Sequence, residues 1–258
     1  MPDHLAELSE LARERVSAGY YDTATAIRRR RKSLIQAVRA SRKTPIIAEI
    51  KYASPSSGKI RDYEPAVKIA KEMLTGGACA LSIITDPVSF QGGLNILSEV
   101  AQGVIAPLIM KDIIVSPRQL RAAARFGADT VVLISELFTA GLTDVDIITM
   151  MQEARGLGLE VIVEANSPSE FEKMRAFQPD IYGINNRNLS SFQVDLDTTA
   201  RILADAKPVS GPVVSESGIE TVADIKRLKT AGAQAFLIGT CIMKCSNVEQ
   251  KVRELVNS

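Results

Sequence analysis

Glu49 and Lys51 end one apolar run of this sequence, Lys111, Glu164 and Glu216 end three more, and Asn185 ends another. Burying a charge costs free energy unless a partner compensates, so apolar segments do not carry such residues by accident. One of them alone reads as a structural ion pair; several meeting at one place read as proton-transfer groups. Lysines supply acids, and glutamates supply bases or hold the lysines charged. The remaining composition narrows the chemistry further. The only histidine is His4, which argues against imidazole acid–base catalysis and against a Ser–His–Asp triad. Cys79, Cys241 and Cys245 are odd in number and sparse, so neither a disulfide framework nor a zinc site is expected. They read as packed small residues, and lysines and carboxylates must move any protons.

Groups so far apart in the chain need a scaffold that brings strand ends together. Eight apolar runs of strand length recur, at Pro45–Lys51, Ala80–Thr85, Ala106–Lys111, Thr130–Ile134, Glu160–Glu164, Ile181–Asn185, Pro212–Glu216 and Ala235–Gly239. Most are continuous rather than alternating, as parallel strands covered on both faces require. Each is followed by a helical pattern. Eight such units in 258 residues predict an α/β fold, a (β/α)8 TIM barrel built as one domain over residues 1–258. Gly77-Ala78, Gly127-Ala128 and Gly232-Ala233 each precede a strand, as expected where a left-handed glycine ends a helix and turns the chain inward.

Residues 1–44 precede the first strand and read as a helical extension packed on one end of the barrel. Ile27, Leu34, Ile35 and Val38 fit one apolar stripe, and Arg28–Lys32 reads as a solvated face of the same helix. The chain is 46% hydrophobic and 24% charged, with a net charge of +1. No nucleic-acid partner and no membrane association are therefore expected, and the absence of a secretory apolar segment near the N-terminus points to a cytoplasmic protein.

In a parallel barrel the active site lies at the C-terminal mouth of the strands. Glu49 and Lys51, two residues apart, share a face with Ile47 and point inward near the top. The last two strands lead into Ser217-Gly218 and Gly239-Thr240. Small residues there let backbone N–H groups approach an anion, at the usual phosphate position of this fold.

These segments resemble those of the indole-3-glycerol-phosphate synthase family along nearly the whole chain. The resemblance is carried by IIAEIKYASPSSG (46–58), SIITDPVSFQGG (82–93), PLIMKDIIV (107–115), GADTVVLI (127–134), VIVEAN (161–166), GINNRNL (183–189), VVSESGI (213–219) and FLIGTCIM (236–243). It implies a lyase of tryptophan biosynthesis that closes the indole ring of 1-(2-carboxyphenylamino)-1-deoxyribulose 5-phosphate with loss of carbon dioxide and water. No metal or organic cofactor is implied. The resemblance gives Lys111 the role of general acid and Glu164 that of base or relay. Lys51, supported by Glu49, is implicated in the dehydration. Asn185 and Glu216 position substrate and catalytic groups, Ser54 and Arg187 bind substrate, and phosphate falls to Ser217, Gly218, Gly239 and Thr240. A bulky residue at Gly239 is expected to raise KM more than it lowers turnover.

The pattern departs from the family at Ile113, where Phe is usual, at Tyr52 and Ser57, where basic residues are common, and at Asn188, usually Asp. Phe90, Val132, Leu189 and Phe192 still supply an apolar pocket. Phosphoribosylanthranilate isomerase, a related barrel, would use a Cys/Asp pair, and the first strand has no Cys. A non-catalytic barrel would have lost its strand-end charges. The expected partner is a small phosphorylated substrate, with the protein a monomer or weak homo-oligomer.

Overall fold

The computed structural model describes residues 4–22 and 26–258. Strands β1 (Ile46–Ile50), β4 (Ala80–Ile84), β5 (Leu108–Lys111), β6 (Thr130–Ile134), β7 (Glu160–Ala165), β8 (Ile181–Asn185), β9 (Val213–Glu216) and β10 (Ala235–Ile238) close a parallel barrel in which β10 pairs back onto β1. They are the eight expected runs, trimmed or extended by a residue or two. An unexpected hairpin, β2 (Ala53–Ser54) with β3 (Gly58–Lys59), follows the first strand.

The helices between strands are α3 (Ala66–Thr75), α4 (Leu94–Gly103), α5 (Pro117–Arg125), α6 (Ser135–Thr139), α7 (Ile147–Gly156), α8 (Pro168–Phe177), α9 (Asp197–Ala204), α10 (Val222–Thr230) and α11 (Thr240–Lys244), and α12 (Val248–Val256) ends the chain. Their starts are written locally: Ser116 and Thr221 form capping boxes with Gln119 and Asp224, satisfying N–H groups that the first turn leaves unpaired. Gly77, Gly127 and Gly232 take φ of 105°, 87° and 110°, so the Gly-Ala turns into β4, β6 and β10 are left-handed as expected.

Two apolar layers result. One joins the outer faces of the strands to the helices. The other fills the barrel itself, with Ile47, Ile109, Val132, Ile162, Val214 and Leu237 among its members. Period-two alternation then decides the next layer up. The residue two positions beyond Ile47 is Glu49, beyond Ile109 is Lys111, beyond Ile162 is Glu164, and beyond Val214 is Glu216. The polar groups thus form a storey directly above a hydrophobic floor.

The N-terminal extension differs from the expectation in two ways. Its helices serve opposite ends of the barrel: α2 (Leu34–Ala40) puts Leu34 and Val38 into the interior cluster from the bottom, while α1 (His4–Ser17) packs Leu5, Leu8 and Ala12 against Ile113, Val115, Ile134 and Leu137 at the mouth. Moreover, Ile27 and the basic run are not helical. Ser33 caps α2, accepting from Gln36 N at 3.1 Å, and the described residues 26–32 just before it form no helix. Alternate arginines of this strap therefore face the barrel. Arg29 donates to Ala106 O at 2.6 Å and pairs with Asp129 at 3.0 Å, and Arg31 donates to Ala128 O. Arg29 and Arg31 fasten the run to the barrel, while Arg28 and Arg30 are exposed as a solvated face would be. Residues 1–3 and 23–25 of the expected extension lie outside the described residues.

Glu160, at the foot of β7, accepts from Leu34 N at 2.7 Å and Ile35 N at 3.3 Å and from Ser33 Oγ. A carboxylate at a helix N-terminus satisfies orphan donors and complements the dipole. Glu160→Ala is expected to lower unfolding free energy by about 1–2 kcal/mol, measured by urea denaturation. A change within experimental error would show that α2 holds its place by apolar contacts alone.

Burial pushes the thiols of Cys79 and Cys241 up to about 11, so both stay protonated, in keeping with packed small residues. Among the described residues no helix is long and apolar enough to cross a membrane, and no cluster of His, Cys, Asp and Glu could hold a metal.

Candidate active site

A cavity of about 320 Å³ opens at the C-terminal mouth. All of the residues proposed from the sequence line it: Glu49, Lys51, Lys111, Glu164, Asn185 and Glu216, with Ser54, Phe90, Val132, Arg187, Leu189, Ser217, Gly218, Gly239 and Thr240. Eight different strand ends contribute, so one barrel closure assembles them together.

At its centre the Lys111 ammonium meets two carboxylates, Glu164 and, at 2.7 Å, Glu216. Asn185 Nδ2 donates to the other oxygen of Glu164 at 3.2 Å. Burial works against the Lys111 charge, but Glu164, Glu216 and Glu49 outweigh it and hold the ammonium well above its usual range. The two carboxylates diverge. Burial raises Glu164, yet Lys111, Glu216 and Asn185 overcome this and keep it ionised below the ordinary range. Burial and the Glu164 charge push Glu216 well above that range, with Lys111 opposing. The triad therefore sets one charged amine against two carboxyl groups whose proton affinities diverge, Glu164 lowered and Glu216 raised, a division of labour set by environment.

Lys51 Nζ lies 2.9 Å from Glu49 Oε1, and Ser82 Oγ donates to Glu49 Oε2 at 3.5 Å. Room for Glu49 comes from β10: a Cβ on Gly239 would lie 2.7 Å from Glu49 Oε1 and 3.1 Å from its Cβ. Gly239 thus leaves room for the Glu49–Lys51 pair as well as for any anion, so a side chain there reaches Glu49 directly, which the expectation of a larger effect on KM than on turnover did not include. On the neighbouring loop Ser217 and Gly218 take φ of 69° and 76°; a non-glycine residue in that region is strained.

One wall is apolar. Ile113 and Ile134 are buried there, with Phe90, Leu189 and Phe192 packed on them, while Val132 belongs to the barrel interior just below. The departures sort by location. Ile113 and Ser57 line the cavity. Tyr52 is buried outside it, donating to Glu64 O at 2.7 Å and so anchoring the loop after β1. Asn188 accepts from Ser191 N at 2.9 Å within its own turn. Arg187 donates to Phe192 O at 2.9 Å.

The sequence reading missed a buried network beside Lys111. Asp112 accepts from Ile113 N at 2.8 Å, Tyr21 Oη at 2.9 Å and Thr85 Oγ1 at 2.6 Å. Arg15 of α1 sits 3.4 Å from Asp112 and 2.9 Å from Asp86. The adjacency of Asp112 to Lys111 was a usable signal. Arg15, about a hundred residues away, left none.

A family model described as indole-3-glycerol phosphate synthase matches residues 3–255. An indole-3-glycerol phosphate synthase of Koribacter versatilis is 39% identical over 218 residues, 84% of this chain and 82% of the relative. One from Geobacillus thermodenitrificans is 40% identical over 219 residues, 84% and 83% of the respective chains. Among solved structures, the fold resembles a thiamine phosphate pyrophosphorylase from Pyrococcus furiosus, with TM-score 0.61, 19% identity, and 83% and 94% of the two chains covered. It also resembles an N-acetylmannosamine-6-phosphate 2-epimerase from Clostridium perfringens, with TM-score 0.62, 14% identity, and 84% and 93% covered. The last two likenesses concern the barrel alone; the first three matches, spanning strands and mouth loops together, show that this chain belongs to the indole-3-glycerol phosphate synthase family.

Proposed function

We propose that the mouth of this barrel converts 1-(2-carboxyphenylamino)-1-deoxyribulose 5-phosphate to indole-3-glycerol phosphate, the Lys111–Glu164–Glu216 triad driving ring closure and the Lys51–Glu49 pair serving dehydration. The observation that carries the reading is the triad itself, a charged amine held by two unlike carboxyl groups over an apolar floor. Ring closure makes an aromatic carbon attack the ketone, whose oxygen gains negative charge; a fixed ammonium stabilises that charge most effectively where water is scarce. The resulting alkoxide is more basic than Lys111, so the proton moves downhill to oxygen. Carbon dioxide then leaves, and its bonding electrons restore the ring. Dehydration needs a proton on the departing hydroxyl and another removed from the substrate, for which Lys51 and the ionised Glu164 supply acid and base. The apolar wall of Ile113, Ile134, Phe90 and Leu189 receives the aromatic ring, with Ser54 and Arg187 beside it. Ser217, Gly218, Gly239 and Thr240 face the phosphate.

The wild-type protein, given the carboxyphenylamino-deoxyribulose phosphate, should develop indole fluorescence without added metal. Absence of turnover would remove the reading. Gly239→Ala is expected to lower kcat roughly 10- to 100-fold, because the new Cβ displaces Glu49 by a fraction of an ångström and misalignment on that scale is costly. An effect confined to KM would return Gly239 to phosphate binding alone.

A further inference from the structure

Four cationic side chains line the cavity: Lys51, Lys111, Arg187 and Lys244. Three are engaged within the protein. Lys51 pairs with Glu49, Lys111 with Glu164 and Glu216, and Arg187 donates to Phe192 O. Lys244 makes no hydrogen bond or ion pair with any described residue, although Glu220 lines the same cavity.

Its backbone, by contrast, is held. The Arg61 guanidinium donates to the carbonyls on either side, Met243 O at 3.1 Å and Cys245 O at 2.8 Å, and is itself paired with Glu64 at 2.6 Å. Lys244 is four residues after Thr240 in α11, so the two share a helix face. Side chains on a helix lean toward its N-terminus. That lean favours a Lys244 stem on the side of Thr240 and Gly239, which with Ser217 and Gly218 line the same cavity as Lys244. Those four residues offer N–H and O–H donors but no positive charge. A phosphate monoester is close to dianionic at neutral pH, and the cavity already contains Glu49, Asp86, Asp112, Glu164, Glu216 and Glu220.

We propose that Lys244 is the cation that binds the substrate phosphate, closing over it from α11. This rests on the reading of the site given above. The test compares wild type, Lys244→Met and Lys244→Arg, on the phosphorylated substrate and on its dephosphorylated analogue, with inorganic phosphate as competitive inhibitor. Lys244→Met should raise KM about tenfold, the size of one charge-assisted contact at a partly exposed site, with the effect on KM rather than kcat. It should weaken inhibition by inorganic phosphate by the same factor and leave kcat/KM for the dephosphorylated analogue unchanged. Lys244→Arg should recover most of the loss.

An active enzyme whose KM and phosphate inhibition are untouched by Lys244→Met overturns the proposal. So does an equal loss on the dephosphorylated analogue, which would mean a general effect on the mouth. If wild type turns over no substrate, the proposed function fails instead; calorimetric titration of wild type and Lys244→Met with inorganic phosphate then still decides the role of Lys244, equal affinities overturning it.

Discussion

Lys111→Met is expected to reduce kcat by roughly a thousandfold or more, since both its stabilisation of the developing alkoxide and its proton are lost together. The same change leaves Glu164 and Glu216 buried side by side without their cation. Without the cation each carboxyl of the pair holds its proton more tightly, so the variant should fold but take up a proton at a higher pH than wild type does. Indole fluorescence reads the first effect and proton uptake on refolding reads the second. Lys111→Arg should not restore the rate, because a planar guanidinium neither fits between two carboxylates spaced for an ammonium nor gives up its proton. Undiminished turnover in Lys111→Met would remove the triad from the mechanism.

The second large effect concerns stability. Among the described residues, Arg15 is the guanidinium paired with the buried carboxylates Asp86 and Asp112. Burial lowers its tendency to stay charged, but Asp112, Tyr21 and Asp86 more than compensate. Arg15→Met strands two carboxylates and should cost about 3–5 kcal/mol of unfolding free energy, with loosening of α1 from the mouth. The pH dependence has a definite sign. Burial, with help from Asp86, pushes the Asp112 carboxyl up to about 6, while Arg15, Thr85 and Tyr21 restrain it. A carboxyl raised in the folded state binds more protons there than in the unfolded chain. Its stabilising contribution is complete below the unfolded value near 4 and is lost as pH rises through about 6. Urea midpoints should therefore fall between pH 4 and 7 by more in wild type than in Asp112→Asn, which cannot titrate. Parallel profiles would exclude Asp112 as the source.

What was legible in the sequence followed from short-range physics. Continuous apolar runs bounded by turn residues marked the strands, and left-handed glycines marked three of the turns leading into them. Strand alternation marked which ends carried inward charges, because Glu49, Lys111, Glu164 and Glu216 stand two residues beyond the apolar side chains of the barrel floor. The basic run departs from the helical expectation for the same reason that periodicity is useful: Ile27, Leu34 and Val38 fit a helix in spacing, and only Ser33 as a cap for α2 and the carbonyls at the foot of the barrel keep the preceding segment out of it.

The charged groups at strand ends were thus set by the sequence itself, through period-two alternation and the cost of burying charge. Their division into a charged amine, a Glu164 that holds its proton weakly and a Glu216 that holds it tightly was decided only by the tertiary structure. So were the clamp of Arg15 on Asp86 and Asp112, the space Gly239 leaves for Glu49, and the unpaired state of Lys244 among the described residues. Each depends on the distance between groups on different elements and on how much water the closed barrel excludes, and electrostatic energies vary with both.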